Sequence, residues 1–60
     1  MFSLGEIIDL AIQVEKNGEK SYRKAQKEVK DRNLASVLEW LADDEKEHEK
    51  WFHDLKKGID

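Results

Sequence analysis

The sequence predicts an all-α fold, a helical hairpin that dimerises into a four-helix bundle. Three observations carry that expectation. Helix-forming residues dominate a chain that has no Pro and no strand-like alternation of apolar and polar positions. Helix-start signatures occur at Ser3 and again at Asp31. Apolar residues recur in alternating four- and three-residue steps along both halves.

The first helix is expected over about residues 4–29. Ser3-Leu4-Gly5-Glu6 fits a capping box, and Phe2 and Ile7 occupy the positions of a hydrophobic staple. Acidic Glu6 and Asp9 open the segment while Lys24, Lys27 and Lys30 close it, the order that the helix dipole favours. Asn17-Gly18 is the one interruption, since such a pair often marks a turn and an interior Gly costs about 1 kcal/mol relative to Ala. The apolar phase runs across it unbroken, so the helix is read as continuous. The second helix is expected over about residues 32–57, capped by Asp31 or Asn33 and stopped by Gly58. Residues 1–60 thus form one two-helix domain.

The stepping defines a seam on each helix. It runs through Leu4, Ile8, Ala11, Glu15, Gly18, Tyr22, Ala25 and Val29, and through Leu34, Leu38, Leu41, Glu45, His48, Phe52, Leu55 and Ile59. Ala11, Gly18 and Ala25 recur every seven residues and permit close backbone approach. Two helices alone cannot enclose two such stripes, whereas two hairpins can. Charge agrees: residues 1–30 carry six basic and five acidic side chains, residues 31–60 five and nine. Antiparallel pairing brings these unlike halves together.

Sixty residues leave no room for a nucleotide-binding sheet or a barrel. The absence of Cys removes disulfides, Cys-ligated zinc and iron–sulfur clusters, so a metal or a partner chain is the expected staple. A net charge of −3 argues against a nucleic-acid partner. No apolar run approaches the roughly 20 residues of a membrane span. Glu6 and Asp9 stand where a signal peptide needs an apolar stretch. The expected location is the cytoplasm.

Glu15, Glu45 and His48 break the seam with ionisable groups, and an unpaired buried charge costs several kcal/mol. Their heights match. With a reversal near residue 31, Glu15 lies about as far before the turn as Glu45 and His48 lie after it. The i, i+3 spacing of Glu45 and His48 sets a carboxylate and an imidazole on one face. The bland alternatives are a solvated charge run, Asp43 to Glu49, or a polar layer that only sets register. The coincidence of phase and height favours a metal site. Doubled by two-fold symmetry it offers four carboxylates and two imidazoles, a set that balances two divalent cations and suits iron or manganese while tolerating zinc. Without metal, the crowded carboxylates should hold protons more tightly than usual.

The stretch from Ala11 to Tyr22 (AIQVEKNGEKSY) resembles the first helix of the ferritin-like, rubrerythrin-type di-iron proteins, and Leu41 to His48 (LADDEKEH) resembles the second, with its Glu-x-x-His. The resemblance spans nearly the whole chain and half of that family's domain. It implies a ferritin-like four-helix bundle, with Glu15 and Glu45 as carboxylate ligands, His48 as the nitrogen ligand, and iron oxidation or peroxide/oxygen reduction as the activity. Tyr22 matches a tyrosine that hydrogen-bonds to a ligand carboxylate, although it also suits a plain core position. The two-helix form is similar to encapsulated ferritins, which build their iron site between two chains, yet the residues after Lys56 show no shell-targeting tail. Rubrerythrins also carry a Cys-ligated iron domain, which these residues lack, so an electron donor would be a separate molecule.

The remaining features read as surface or packing. His53 falls off the seam. Glu19 can pair with Arg23, and Glu49 with Lys46 or His53, and the functional alternative for either is an outer ligand or a metal entry group. Trp40 and Trp51 share one helix edge and suit a subunit contact. Two rival functions remain: a metal-binding or storage module without turnover, and a purely structural oligomerisation hairpin.

Overall fold

Ser3 starts the first helix as its side chain dictates. In the computed structural model, which describes residues 1–59, the Ser3 hydroxyl accepts the Glu6 N–H at 3.1 Å. Glu6 reaches back to accept the Ser3 N–H at 2.9 Å. This reciprocal box satisfies two of the donors that a helix start leaves open. The Ser3 hydrogen bonds also hold the Glu6 carboxyl below its ordinary range. Phe2 and Ile7 remain exposed beside the box. Helix α1 then runs over Leu4–Glu28, continuous through Asn17 and Gly18. Gln13 donates to the Asn17 side chain at 3.0 Å, which engages that Asn within the helix.

Val29 ends α1 by turning to extended geometry, its N–H still donating to the Ala25 carbonyl at 3.0 Å. Two residues later Asp31 caps α2. Its side chain accepts the Leu34 N–H at 2.9 Å, and its carbonyl takes the Ala35 N–H. Asp31, rather than Asn33, is therefore the cap. Helix α2 spans Arg32–Ile59 and passes through Gly58 instead of stopping there. No described Gly adopts a positive φ, so Gly58 makes no left-handed cap. A Gly in the last turn has few intrahelical bonds to lose. Asp60, the final residue of the expected domain, lies outside the described residues.

The hairpin measures 44 × 20 × 10 Å, a slab one helix thick. Such a slab has almost no interior: among the described residues only Ile8 (5 % exposed), Ile12 (6 %) and Ala42 (0 %) are buried. On α1 every expected seam position except Leu4 is turned inward. On α2 the seam is shifted. Ala35, Leu38, Ala42, Glu45, Glu49, Phe52 and Lys56 face α1, while Leu34, His48, Leu55 and Ile59 are exposed along one edge. The physical reason is the width of the stripe. A bundle helix has two neighbours and an apolar stripe wider than 100°, and a single hairpin covers only half of it.

At 100° per residue, the uncovered halves of both helices fall on the same broad face. Leu4, Ile7 and Val14 lie there from α1, and Leu34, Val37, Trp51 and Leu55 from α2, all exposed. The opposite face is charged and clasped by cross-helix pairs. Lys56 meets Asp9 at 2.7 Å, Lys16 meets Glu49 at 3.8 Å, and Arg23 bridges Asp43 at 3.0 Å and Glu19 at 2.9 Å. No helix among the described residues is long and apolar enough to cross a membrane.

The caps make a direct prediction. Ser3→Ala and Asp31→Ala should each lower the unfolding free energy by about 1 kcal/mol. Asn33→Ala should change it by less than about 0.5 kcal/mol. Urea denaturation followed by circular dichroism measures all three. Equal losses for Asp31 and Asn33 would contradict the assigned cap.

Candidate metal centre

The hairpin register brings Glu15, Glu45 and His48 to one level. Each offers a ligand atom, and these atoms lie within 4.8 Å of one another. Ligand atoms about 2.0–2.2 Å from one ion stand within about 4.4 Å of each other. Adjustments of a few tenths of an ångström therefore close the set. Glu15 sits on the inner face of α1 with its side chain 18 % exposed, while His48 stands on the edge of α2, 51 % exposed. His48 Nδ1 lies 3.3 Å from Glu15 Oε2. His48 is thus not a seam residue, as its phase had suggested. It flanks the seam and closes the cluster from the apolar face.

Gly18 supplies the space. A Cβ at this position would lie 3.2 Å from Glu45 Oε2 and 3.3 Å from its carboxyl carbon. The Glu45 carboxyl therefore lies against bare α1 backbone, one turn from Glu15. The interior Gly, unfavourable for the helix by itself, has its physical reason in that clearance.

Proton affinity reports the crowding. The Glu45 carboxyl is raised above its ordinary range, chiefly by its hydrogen-bonding interaction with the Glu15 carboxyl. Burial and the repulsion of the Glu15 charge add to it, and the His48 ring opposes. Two carboxylates and a neutral imidazole carry −2 together, the charge that one divalent cation cancels. Oxygen-rich ligation with a single imidazole suits iron or manganese and accepts zinc.

A family model described as rubrerythrin matches residues 6–60, nearly the full chain. The chain belongs to the rubrerythrin family. No curated protein and no solved structure matches it. Rubrerythrin domains usually bind iron, and the acid–acid–imidazole cluster has the donor chemistry for that ion.

Other singled-out residues fall around this rubrerythrin-type cluster. Tyr22 is half-buried two turns along α1, and among the described residues its hydroxyl has no hydrogen-bond partner. His53 is exposed on the charged face, 3.8 Å from Glu49. Glu49 and Glu19 were missed as seam residues. Glu49 is 19 % exposed and takes Lys16 and His53, while Glu19 takes Arg23. The signal was present: each lies four residues past a cluster carboxylate, on the same stripe. Both are already neutralised by cations, which sets them apart from Glu15 and Glu45.

Two predictions follow the geometry. Because the folded pKa of Glu45 exceeds its unfolded value, protonation favours the folded metal-free state. That contribution is full below about pH 4.3 and is lost as pH rises through the raised pKa. Glu45→Gln mimics the protonated acid. In chelator it should melt like wild type near pH 4 and progressively above it towards pH 7. Parallel melting curves at all pH values would contradict the raised Glu45 carboxyl. Gly18→Ala should hold or raise the chelator-treated melting temperature, through a helix gain of up to about 1 kcal/mol. It should also weaken divalent-metal affinity by displacing Glu45. Unchanged affinity by titration calorimetry would remove Gly18 from the site.

Proposed function

We propose that the chain is a di-iron-type metal protein that works as a homodimer, with Glu15, Glu45 and His48 of each copy holding iron at the shared face. The single observation that carries this reading is the side on which the cluster opens. His48 flanks it on the face where Leu4, Ile7, Val14, Leu34, Val37 and Leu55 stand exposed, opposite the face closed by ion pairs. Covering a large apolar side chain contributes about 1.5–3 kcal/mol. A second copy presents the same apolar face, and an isologous two-fold contact places two clusters towards each other. Bridged across that axis, the pair has the composition of a two-metal site of four carboxylates and two imidazoles.

Bound iron supplies one-electron redox chemistry, and the reading assigns iron oxidation or peroxide/oxygen reduction. The protein's own groups divide the work. The Glu45 carboxyl, raised above its ordinary range, must be deprotonated to bind a cation, so metal and proton compete for it. Glu15 and Glu45 supply anionic oxygens that favour the higher oxidation state. His48 supplies a neutral nitrogen. Tyr22, half-buried on the cluster's face of α1, is assigned to steady a ligand carboxylate through its hydroxyl. These 60 residues contain no Cys, so electrons for reductive turnover come from outside them.

Glu15→Ala, Glu45→Ala and His48→Ala should each cut metal affinity at least tenfold, whereas Glu19→Ala and His53→Ala should change it less than about threefold. Titration calorimetry with Fe(II) under anaerobic conditions reads this directly. Binding lost with His53 and retained without His48 would overturn the assignment. Stopped-flow absorbance after adding oxygen or peroxide then tests turnover. Wild type should oxidise Fe(II) faster than buffer, and Tyr22→Phe should keep the metal and alter the rate. Tight binding with no acceleration would favour a storage module.

A further inference from the structure

We infer that Asn17-Gly18 is a site of spontaneous covalent modification, where aspartate or isoaspartate replaces Asn17 at a rate set by the opening of helix α1. The inference is independent of the metal reading above, because the reaction consumes only water.

The chemistry follows from what stands on each side of one peptide bond. The Gly18 backbone nitrogen can close a small ring onto Asn17 Cγ, and Gly18 has no side chain to hinder the approach. In the attack an N–Cγ bond forms, the nitrogen gives its proton to water, the Cγ–Nδ2 bond breaks and ammonia leaves. The product is a cyclic imide, and water then opens it at either carbonyl carbon. Opening at Cγ gives aspartate on the original backbone. Opening at the main-chain carbonyl gives isoaspartate, whose backbone runs through Cγ and is longer by a methylene. Overall a water enters and an ammonia leaves, and nothing is oxidised or reduced.

The folded helix opposes the first step. Asn17 lies inside α1, where a ψ of about −42° does not bring the next nitrogen onto the side-chain carbonyl. The helical ladder also engages the Gly18 N–H with a carbonyl of the preceding turn. Gln13 Nε2 donates to Asn17 Oδ1 at 3.0 Å and draws the amide towards that same turn, away from Gly18. All of these restraints are lost together when the stretch opens. Asn17 is exposed, and a hairpin whose described residues bury only Ile8, Ile12 and Ala42 resists such opening weakly.

Asn33 provides an internal control. It is the chain's other Asn and is also exposed, but it precedes Leu34, whose side chain crowds the attacking nitrogen. The consequences at position 17 differ between the products. Either adds a negative charge to a chain already at −3. Isoaspartate also shifts the helical phase beyond it, so that Gly18 and Tyr22 leave the face of Glu15. Gly18 is where the backbone receives the Glu45 carboxyl, whose Oε2 lies 3.2 Å from the position a Cβ would take.

The experiment incubates the full chain with chelator at mildly alkaline pH, in buffer and in unfolding urea, and follows both Asn residues by peptide mapping. Labelling with an isoaspartate-specific methyltransferase identifies the isoaspartate product. Conversion should occur at Asn17 in both samples, about tenfold or more slowly in buffer than in urea, and Asn33 should lag far behind. The isoaspartate fraction, separated by ion exchange, should show less helix by circular dichroism than Asn17→Asp, which carries the same charge on a normal backbone. Equal rates in buffer and urea would overturn control by the helix. Asn17 still intact in buffer over many multiples of the urea half-time would overturn it as a modification site of the folded protein. An isoaspartate fraction as helical as Asn17→Asp would overturn the shift of phase.

Discussion

Two carboxylates and an imidazole are set within 4.8 Å of one another in a hairpin only 10 Å thick. The other features of the fold accommodate that constraint. Like charges at this distance repel, and the Glu45 carboxyl is accordingly raised above its ordinary range. The helix accepts a Gly at position 18 so that the Glu45 carboxyl has somewhere to lie. The apolar core is correspondingly small: among the described residues, Ile8 and Ile12 near the start of α1 and Ala42 at mid-α2. Cross-helix ion pairs hold the far side of the slab. Each keeps one partner more than half exposed, and pairs of that kind contribute little individually. In the proposed dimer, a hairpin organised in this way would draw stability from what binds at the cluster and from what covers its apolar face.

The division into faces follows from helical geometry. A stripe that serves two neighbours is wider than one contact needs, so the half not used inside the hairpin is left for another pair of helices. His48 and Leu41 lie at the boundary between the halves. A ligand at that boundary belongs to the hairpin through Glu15 and to the open face through its exposed edge. In the proposed dimer this placement joins metal binding to association, because the exposed apolar surface and the donor cluster adjoin.

Much of this was legible in the residues. Ser3 and Glu6 announced the first cap, and the register of a short turn was enough to bring Glu15 level with Glu45 and His48. The unbroken apolar phase gave the helix through Asn17-Gly18, although the reason for Gly18 appears only once Glu45 is seen against it. The α2 phase was less legible, because a four-three stepping cannot tell the half of a stripe that faces the sister helix from the half that faces a second hairpin. Hence Leu34, His48 and Leu55 were expected inside and stand at the edge, while Glu49 and Lys56 stand inside. Gly58 misled for a different reason: a Gly near a helix end stops it only when the chain turns left-handed there, and here it does not.

The central claim is that metal and partner share one surface. Native mass spectrometry of the 60-residue chain, loaded with Fe(II) or Zn(II) and then stripped with chelator, tests it most directly. The account predicts a loaded dimer carrying two ions, one per chain, and a shift towards monomer or a lowered dissociation threshold when the metal is removed. A monomer that retains one tightly held ion, or a dimer whose formation is indifferent to both metal and the Glu15→Ala substitution, would contradict it.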